Sequence, residues 1–149
     1  MTRVEKSIEI KAPPDKVWEM IALDRWPEWA EGNFLQTKGM KFTSEVNTPE
    51  DKYRVGASAQ TEMAKGETFK VTESLKNEKI TYLLQASGTN ASTIALALEP
   101  VKDGTKFTYA VTYEMPWGIF GKVIELFAKG FGETEVERSL RNLKSILEK

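Results

Sequence analysis

The sequence predicts an α+β fold, in the order strand, two short helices, six antiparallel strands and a long C-terminal helix. Three observations carry this expectation. Apolar and polar residues alternate in the first stretch and in a series of later ones divided by turn signals. Two proline-led segments with helical spacing follow the first strand, and the C-terminal stretch holds one apolar face at i+3/i+4 spacing.

From Arg3 to Lys11, Val4, Ile8 and Ile10 fall on alternate positions, the period of a half-buried strand that Pro13 and Pro14 end. Proline is tolerated in a helix's first turn, and Val17, Trp18 and Ile21 recur at helical spacing, so Pro14 to Leu23 reads as a short helix. Asp24 is placed to cap a second one, with Pro27 in its first turn, running to about Glu31 and stopped by Gly32. Strands are expected over Phe34 to Thr43, Tyr53 to Met63, Thr68 to Leu75, Lys79 to Ala86, Thr93 to Val101 and Lys106 to Glu114. The turns between them are marked by Lys65-Gly66, Lys76-Asn77, Gly88-Thr89-Asn90 and Asp103-Gly104, the last a strong two-residue hairpin signal.

Pro116 and Gly118 break the meander. In the final helix Phe120, Val123, Ile124, Phe127 and Phe131, then Val136, Leu140, Leu143 and Leu147, form the apolar face, while Lys122, Glu125 and Lys129 line the other side. Gly130 and Gly132 predict a bend or break in its middle, and Glu137 with Arg141 makes a favourable i,i+4 pair. No repeat, linker or low-complexity segment marks a boundary, so residues 1–149 read as one domain.

Composition limits the chemistry. A chain of 149 residues buries roughly 70% of the surface its unfolded form exposes, enough for a core without staples. It has neither cysteine nor histidine, which removes disulfides, thiolate nucleophiles, Cys/His metal sites and an imidazole base. No metal and no cofactor are expected. With 21 basic and 22 acidic side chains and no basic block, the footprint of a nucleic-acid binder is missing. No apolar run reaches the roughly 20 residues of a membrane span, and none resembles a signal peptide, so the reading is a soluble, cytoplasmic protein without integral membrane association. Asn90-Ala91-Ser92 is an accidental sequon in a turn.

The stretches "IEIKAPPDKVWEMIALDRWPEWAEG" and "PWGIFGKVIELFAKGFGETEVERSLRNLKSILEK", joined by the meander, resemble the START-related SRPBCC superfamily, in its polyketide cyclase/dehydrase-like branch. The resemblance covers nearly the whole chain and implies a helix-grip fold: a curved antiparallel sheet of about seven strands wrapped around the long C-terminal helix. It also implies a cavity between sheet and helix, with the short helices at one end. It does not name a ligand, because that superfamily holds lipid carriers, hormone receptors, cyclases, ring-hydroxylase domains and chaperone co-activators. The rival fold, an up-and-down ligand-binding barrel, is disfavoured by the two helices after the first strand and by the length of the last helix.

Under this reading the cavity-lining candidates are Trp26, Trp29, Ala57, Ala59, Phe69, Tyr82, Tyr109, Tyr113, Phe120, Ile124, Phe127 and Phe131. Trp26 and Trp29 serve either as a packing staple between the short helices and the sheet or as ligand contacts, with indole N–H groups that need partners if buried. Phe107, Tyr109, Val111 and Tyr113 share one strand face, and two hydroxyls in an apolar cavity can orient a ligand carbonyl or hydroxyl, although such aromatics can equally be core. Tyr82 lies in "ITYLL", apolar on both faces, so its register stays open. Val55, Ala57, Ala59 and Met63 make an apolar strand face whose alanines mark either cavity space or close backbone packing.

Other signals are weaker. "WGIFGKVIELFAKGF" is amphipathic but not basic enough for a membrane-surface helix; Gly118 to Gly121 fits a GxxG pattern without the charge for nucleotides; Gly130-Phe131-Gly132 lacks a dinucleotide fingerprint's third glycine. Glu62, Glu73 and Glu114 fall on the faces opposite the apolar ones, where carboxylates meet solvent and not substrate. The leading expectation is a protein that binds a hydrophobic small molecule such as a lipid, isoprenoid or aromatic polyketide-like compound. The alternatives are a cyclase or dehydratase in which Tyr109 and Tyr113 polarise a carbonyl, and an interaction module of the chaperone co-activator kind with a protein partner not identified by sequence.

Overall fold

Alternating apolar residues need a second layer to bury them, and the layer here is built from both ends of the chain. The computed structural model describes residues 2–30, 40–60, 68–85, 92–113 and 134–148. Seven strands form one antiparallel sheet: β1 (Thr2–Ile10), β2 (Lys41–Phe42), β3 (Ser58–Gln60), β4 (Thr68–Leu75), β5 (Lys79–Gln85), β6 (Ser92–Val101) and β7 (Gly104–Tyr113). Their order across the sheet is β1-β7-β6-β5-β4-β3-β2, a meander whose last strand closes back on the first. Helix α1 (Pro14–Met20) and a 3-10 helix (Leu23–Glu28) sit between β1 and β2. Helix α2 runs over residues 134–147. This is the α+β helix-grip arrangement that the sequence predicts.

Register follows the alternation. Ile8 pairs with Phe107, Leu98 with Phe107, Leu96 with Tyr109, Ile80 with Leu96 and Phe69 with Leu84, so one face of the sheet is apolar across its width. Val136, Leu140 and Leu143 of α2 are buried against the same core, the positions that helical spacing predicted. The helix is tied at its C-terminal end. Lys144 Nζ donates to Glu9 O at 2.8 Å, Lys11 N to Glu148 Oε2 at 3.0 Å, and Asn142 Nδ2 to Trp29 O at 3.2 Å. The expected Glu137–Arg141 pair is present at 3.8 Å, but Arg141 is largely exposed, so it contributes at most a few tenths of a kcal/mol, ~0.3–0.5 for such pairs.

Several boundaries depart from expectation. Helix α1 stops at Met20 rather than Leu23, and the second helix is a 3-10 turn flanked by Ala22. Asp24 lies inside that turn instead of capping it, and its Oδ2 accepts from Lys52 Nζ at 2.6 Å. The stretch expected as one strand from Tyr53 opens with a turn that follows a 3-10 helix (Pro49–Lys52) and places Val55 outward, 58% exposed, so Val55 does not share the face of Ala57 and Ala59. Phe34, Met63, Gly88 and the glycines expected to bend the last helix lie outside the described residues.

The β6–β7 hairpin is also reached by a different route. Its two-residue turn is Lys102-Asp103, because Gly104 already pairs with Val101. Glycine is needed at 104 for space: a Cβ there would stand 2.0 Å from Ile10 O. Asn77, by contrast, takes a left-handed φ of 63° in the β4–β5 turn closed by Glu78 N on Leu75 O at 2.9 Å.

Gly104→Ala is therefore expected to push β1 away from the hairpin and destabilise the fold by about 1–3 kcal/mol, the usual range for overpacking. A urea midpoint unchanged from wild type would show that β1 does not approach β7 so closely.

Candidate functional site

The two tryptophans of "DRWPEWAEG" are fully buried, at 0% and 1% exposure. They lie over the concave face as a plug. Trp26 meets Tyr82 edge-on at 5.1 Å and Phe69 edge-on at 5.6 Å and lies tilted against Trp29 at 5.7 Å, while Trp29 stands edge-on to Phe107 and Tyr109 at 6.1 Å each. Edge-to-face pairs of this kind contribute about 0.5–1.5 kcal/mol each beyond area burial.

What holds the plug in place is the end of α1. A helix leaves its last carbonyls without intrahelical donors, and in a helix of seven residues these are most of the carbonyls it has. Here aromatic side chains supply the donors. Trp29 Nε1 donates to Met20 O at 2.7 Å, and Trp26 Nε1 and Tyr82 Oη both donate to Ile21 O at 3.0 Å. Tyr53 Oη donates to Trp18 O at 3.1 Å while its ring stacks on Trp18 at 4.8 Å.

Of the residues expected to line a cavity, the structure brings Trp26, Trp29, Phe69, Tyr82 and Tyr109 into one cluster. Ala57 and Ala59 are buried beside it, with Ala59 paired to Phe69 across β3 and β4. Tyr82 points inward, which resolves the register of "ITYLL". Tyr113 ends β7 opposite Thr2. Phe120, Ile124, Phe127 and Phe131 lie outside the described residues, as do Glu62 and Glu114. Glu73 is exposed on the outer face beside a β-bulge, 3.4 Å from Lys79. Among the described residues no group of carboxylates is arranged to hold a metal ion.

Tyr109 differs from the other aromatic donors. Its ring is fully buried against Trp29, yet its Oη has no hydrogen-bond partner among the described residues. Leaving a buried hydroxyl unpaired costs about 1–3 kcal/mol, so such groups are few in folded proteins. Beyond Tyr109 the same concave face continues through Val111 on β7 and Leu84 on β5, both only half-buried. Lys6 pairs with Tyr109 across β1 and β7 and so shares the inward face, its Nζ drawn out to Glu137 Oε1 at 3.5 Å. Glu135 lies in the first described turn of α2, one turn before the buried Ser139, whose hydroxyl donates to its carbonyl at 2.9 Å.

Sequence reasoning missed Lys6, Leu84 and Glu135. The alternation that placed Val4 and Ile8 on one face also contains Lys6, which was a signal for it; an inward charge on an edge strand discourages pairing with other chains. Leu84 was hidden by a strand apolar on both faces.

Burial raises all three tyrosines above the ordinary phenol value. Tyr53 is pushed up to about 12, by burial first and then by Asp24 and Glu19; Tyr82 is raised by burial, with Tyr53 and Asp24 adding; Tyr109 is raised by burial and by the Glu135 carboxylate. The unfolded chain loses these protons first, near pH 10. Stability is thus complete below about pH 10 and falls as pH rises from there through the folded values. Tyrosinate absorbance during alkaline titration is expected to show three of the four tyrosines ionising only above the ordinary range. Ionisation of more than one near pH 10 with the fold intact would contradict the burial described.

The fold is shared widely. Protein MLL2253 of Mesorhizobium loti superposes with a TM-score of 0.71 at 17% identity, covering 99% of this chain and 97% of that one. The Aha1 dimer of Colwellia psychrerythraea follows at 0.67 and 20% identity, with 99% and 97% covered. CalU16 of Micromonospora echinospora gives 0.56 at 15% identity over 92% of this chain and 70% of its own. No curated protein matches the sequence. Residues 1–148 match the family described as polyketide cyclase / dehydrase and lipid transport, and the chain belongs to that family.

Proposed function

We propose that the protein binds a hydrophobic small molecule between the concave face of the sheet and the C-terminal helix, seated beyond Trp29. The observation that carries this reading is the division of the concave face. Phe69, Tyr82 and Phe107 are fully buried with the tryptophans packed on them, whereas Leu84, directly across from Phe69, and Val111, at the end of the row that runs from Tyr82 through Ile94, keep apolar surface only partly covered. Ligand sites are mostly apolar with a few polar groups, and Tyr109 stands on the border as such a group. Membership of a family described by polyketide cyclisation and lipid transport supports the same class of ligand. Trp26, Trp29 and Tyr82 then act as the floor of the site, since their polar atoms already serve the α1 carbonyls, and Ala57, Ala59 and Phe69 support that floor.

The reading is tested with the uncharged fluorophore N-phenyl-1-naphthylamine. Wild-type protein is expected to bind it, and Val111→Trp or Leu84→Trp, which fill the half-covered part of the face, to weaken binding at least about tenfold, the loss of roughly 1.4 kcal/mol of contact. The same variants should unfold in urea within about 1 kcal/mol of wild type, since neither position is fully packed. Binding unaffected by both substitutions would refute the site.

A further inference from the structure

Resting on that site, we infer that Trp29 is its specificity-determining residue: the indole ends the site along β7 and so sets the length of ligand that fits. The boundary is visible in the order of inward residues. On β7 these are Phe107, Tyr109 and Val111; Trp29 stands on the first two, which are fully buried, while Val111, the next, is half-buried. On β5 the same step falls between Tyr82, which lies under Trp26, and the half-buried Leu84. Successive inward positions lie about 6.6 Å apart along a strand, so on both strands the tryptophan cover ends within one such step.

The described sheet does not itself end the site there. Behind Trp29 its concave face stays apolar: Leu96 lies opposite Tyr109, and Leu98 and Ile8 flank Phe107. Lys6, the polar exception, is drawn out to Glu137. An apolar chain laid along β7 would continue over Tyr109 and Phe107 if the indole were absent. With the indole present, each methylene past Val111 stays in water and adds nothing to binding.

The wall is also held in place. Trp29 Nε1 donates to Met20 O at 2.7 Å, Trp29 N to Trp26 O at 3.1 Å, and Trp29 O accepts from Asn142 Nδ2 of α2 at 3.2 Å. Swinging the ring aside would leave the Met20 carbonyl buried without its donor, which is costly. A fixed wall gives a sharp length limit, whereas a mobile one would admit longer chains gradually.

The experiment measures calorimetric binding of 1-hexanol, 1-octanol, 1-decanol, 1-dodecanol and 1-tetradecanol. For wild type, affinity is expected to rise about fifteenfold per member, roughly fourfold per methylene removed from water, and beyond a break to rise less than about threefold per member. Trp29→Leu should move the break at least one member longer and leave the slope before it unchanged. Trp29→Phe, the milder change, should raise affinity for the first alcohol past the wild-type break by at least about threefold relative to the one before it. Val111→Trp, which carries the cover one inward position further, should move the break to a shorter alcohol. Urea unfolding of each variant checks the fold; general loosening lowers all affinities together and does not move the break.

A break that stays at the wild-type alcohol in Trp29→Leu or Trp29→Phe, or a wild type with no break through 1-tetradecanol, would overturn the inference, while fluorophore binding weakened by Val111→Trp left the site standing. If neither Trp29 variant folds, Val111→Trp decides, and a break it does not move overturns the inference. Failure of the fluorophore and of every alcohol to bind would remove the site and the inference together.

Discussion

The structure depends on how the last carbonyls of α1 are satisfied. Seven residues are too few for an autonomous helix, since nucleation is costly and shorter helices are marginal in water. Its C-terminal carbonyls would be buried without donors, each at a cost comparable to a lost hydrogen bond. Two indoles and two phenols supply those donors, from three separate segments of the sequence. The same bonds orient the rings. Because Trp26 and Tyr82 share one acceptor, Ile21 O, the 3-10 turn and the centre of the sheet are held to a single point, and the aromatic cluster forms around it.

The plug then shapes the rest of the interior. A fold whose sheet curls around a helix has more concave surface than one helix covers, and the chain fills part of that surface with its own tryptophans. The remainder, bounded by Tyr109, Val111 and Leu84, keeps apolar surface and a hydroxyl unpaired among the described residues. Structures superpose over nearly the whole chain at 17% and 20% identity, so the backbone tolerates replacement of most side chains. Fold membership alone therefore does not say what the interior does.

The contacts between α2 and β1 play a different part. Lys144 to Glu9, Glu148 to Lys11 and Lys6 to Glu137 lie at the surface, where ion pairs and charged hydrogen bonds add little stability. Their effect is geometric: they set the height of α2 along the edge strand, and with Asn142 on Trp29 O they fix its position over the plug. Burial of Val136, Leu140 and Leu143 supplies the attraction that the polar contacts direct.

Much of the architecture was legible in the sequence because it rests on short-range periodicity. Strand β4 runs over Thr68–Leu75 as alternation predicts, and the buried positions of α2 are those that recur at helical spacing. Lys6, on the same alternation as Val4 and Ile8, was legible but overlooked, and the Thr48-to-Asp51 capping box before Tyr53 was a further local sign. Other features could not be read locally. The face of Tyr82 is decided by a carbonyl 61 residues away, and the hydroxyl of Tyr109 has no partner among the described residues. Gly104 is required by the approach of Ile10 and not by the turn it adjoins, and Asp24 is claimed by Lys52 before it can cap a helix. Periodicity determined the elements and their order, since it reflects each residue's immediate neighbours. Which aromatic groups are satisfied, and which one is left without a partner among the described residues, was decided only when distant segments packed together, because hydrogen-bond pairing in a core is a property of contacts between those segments.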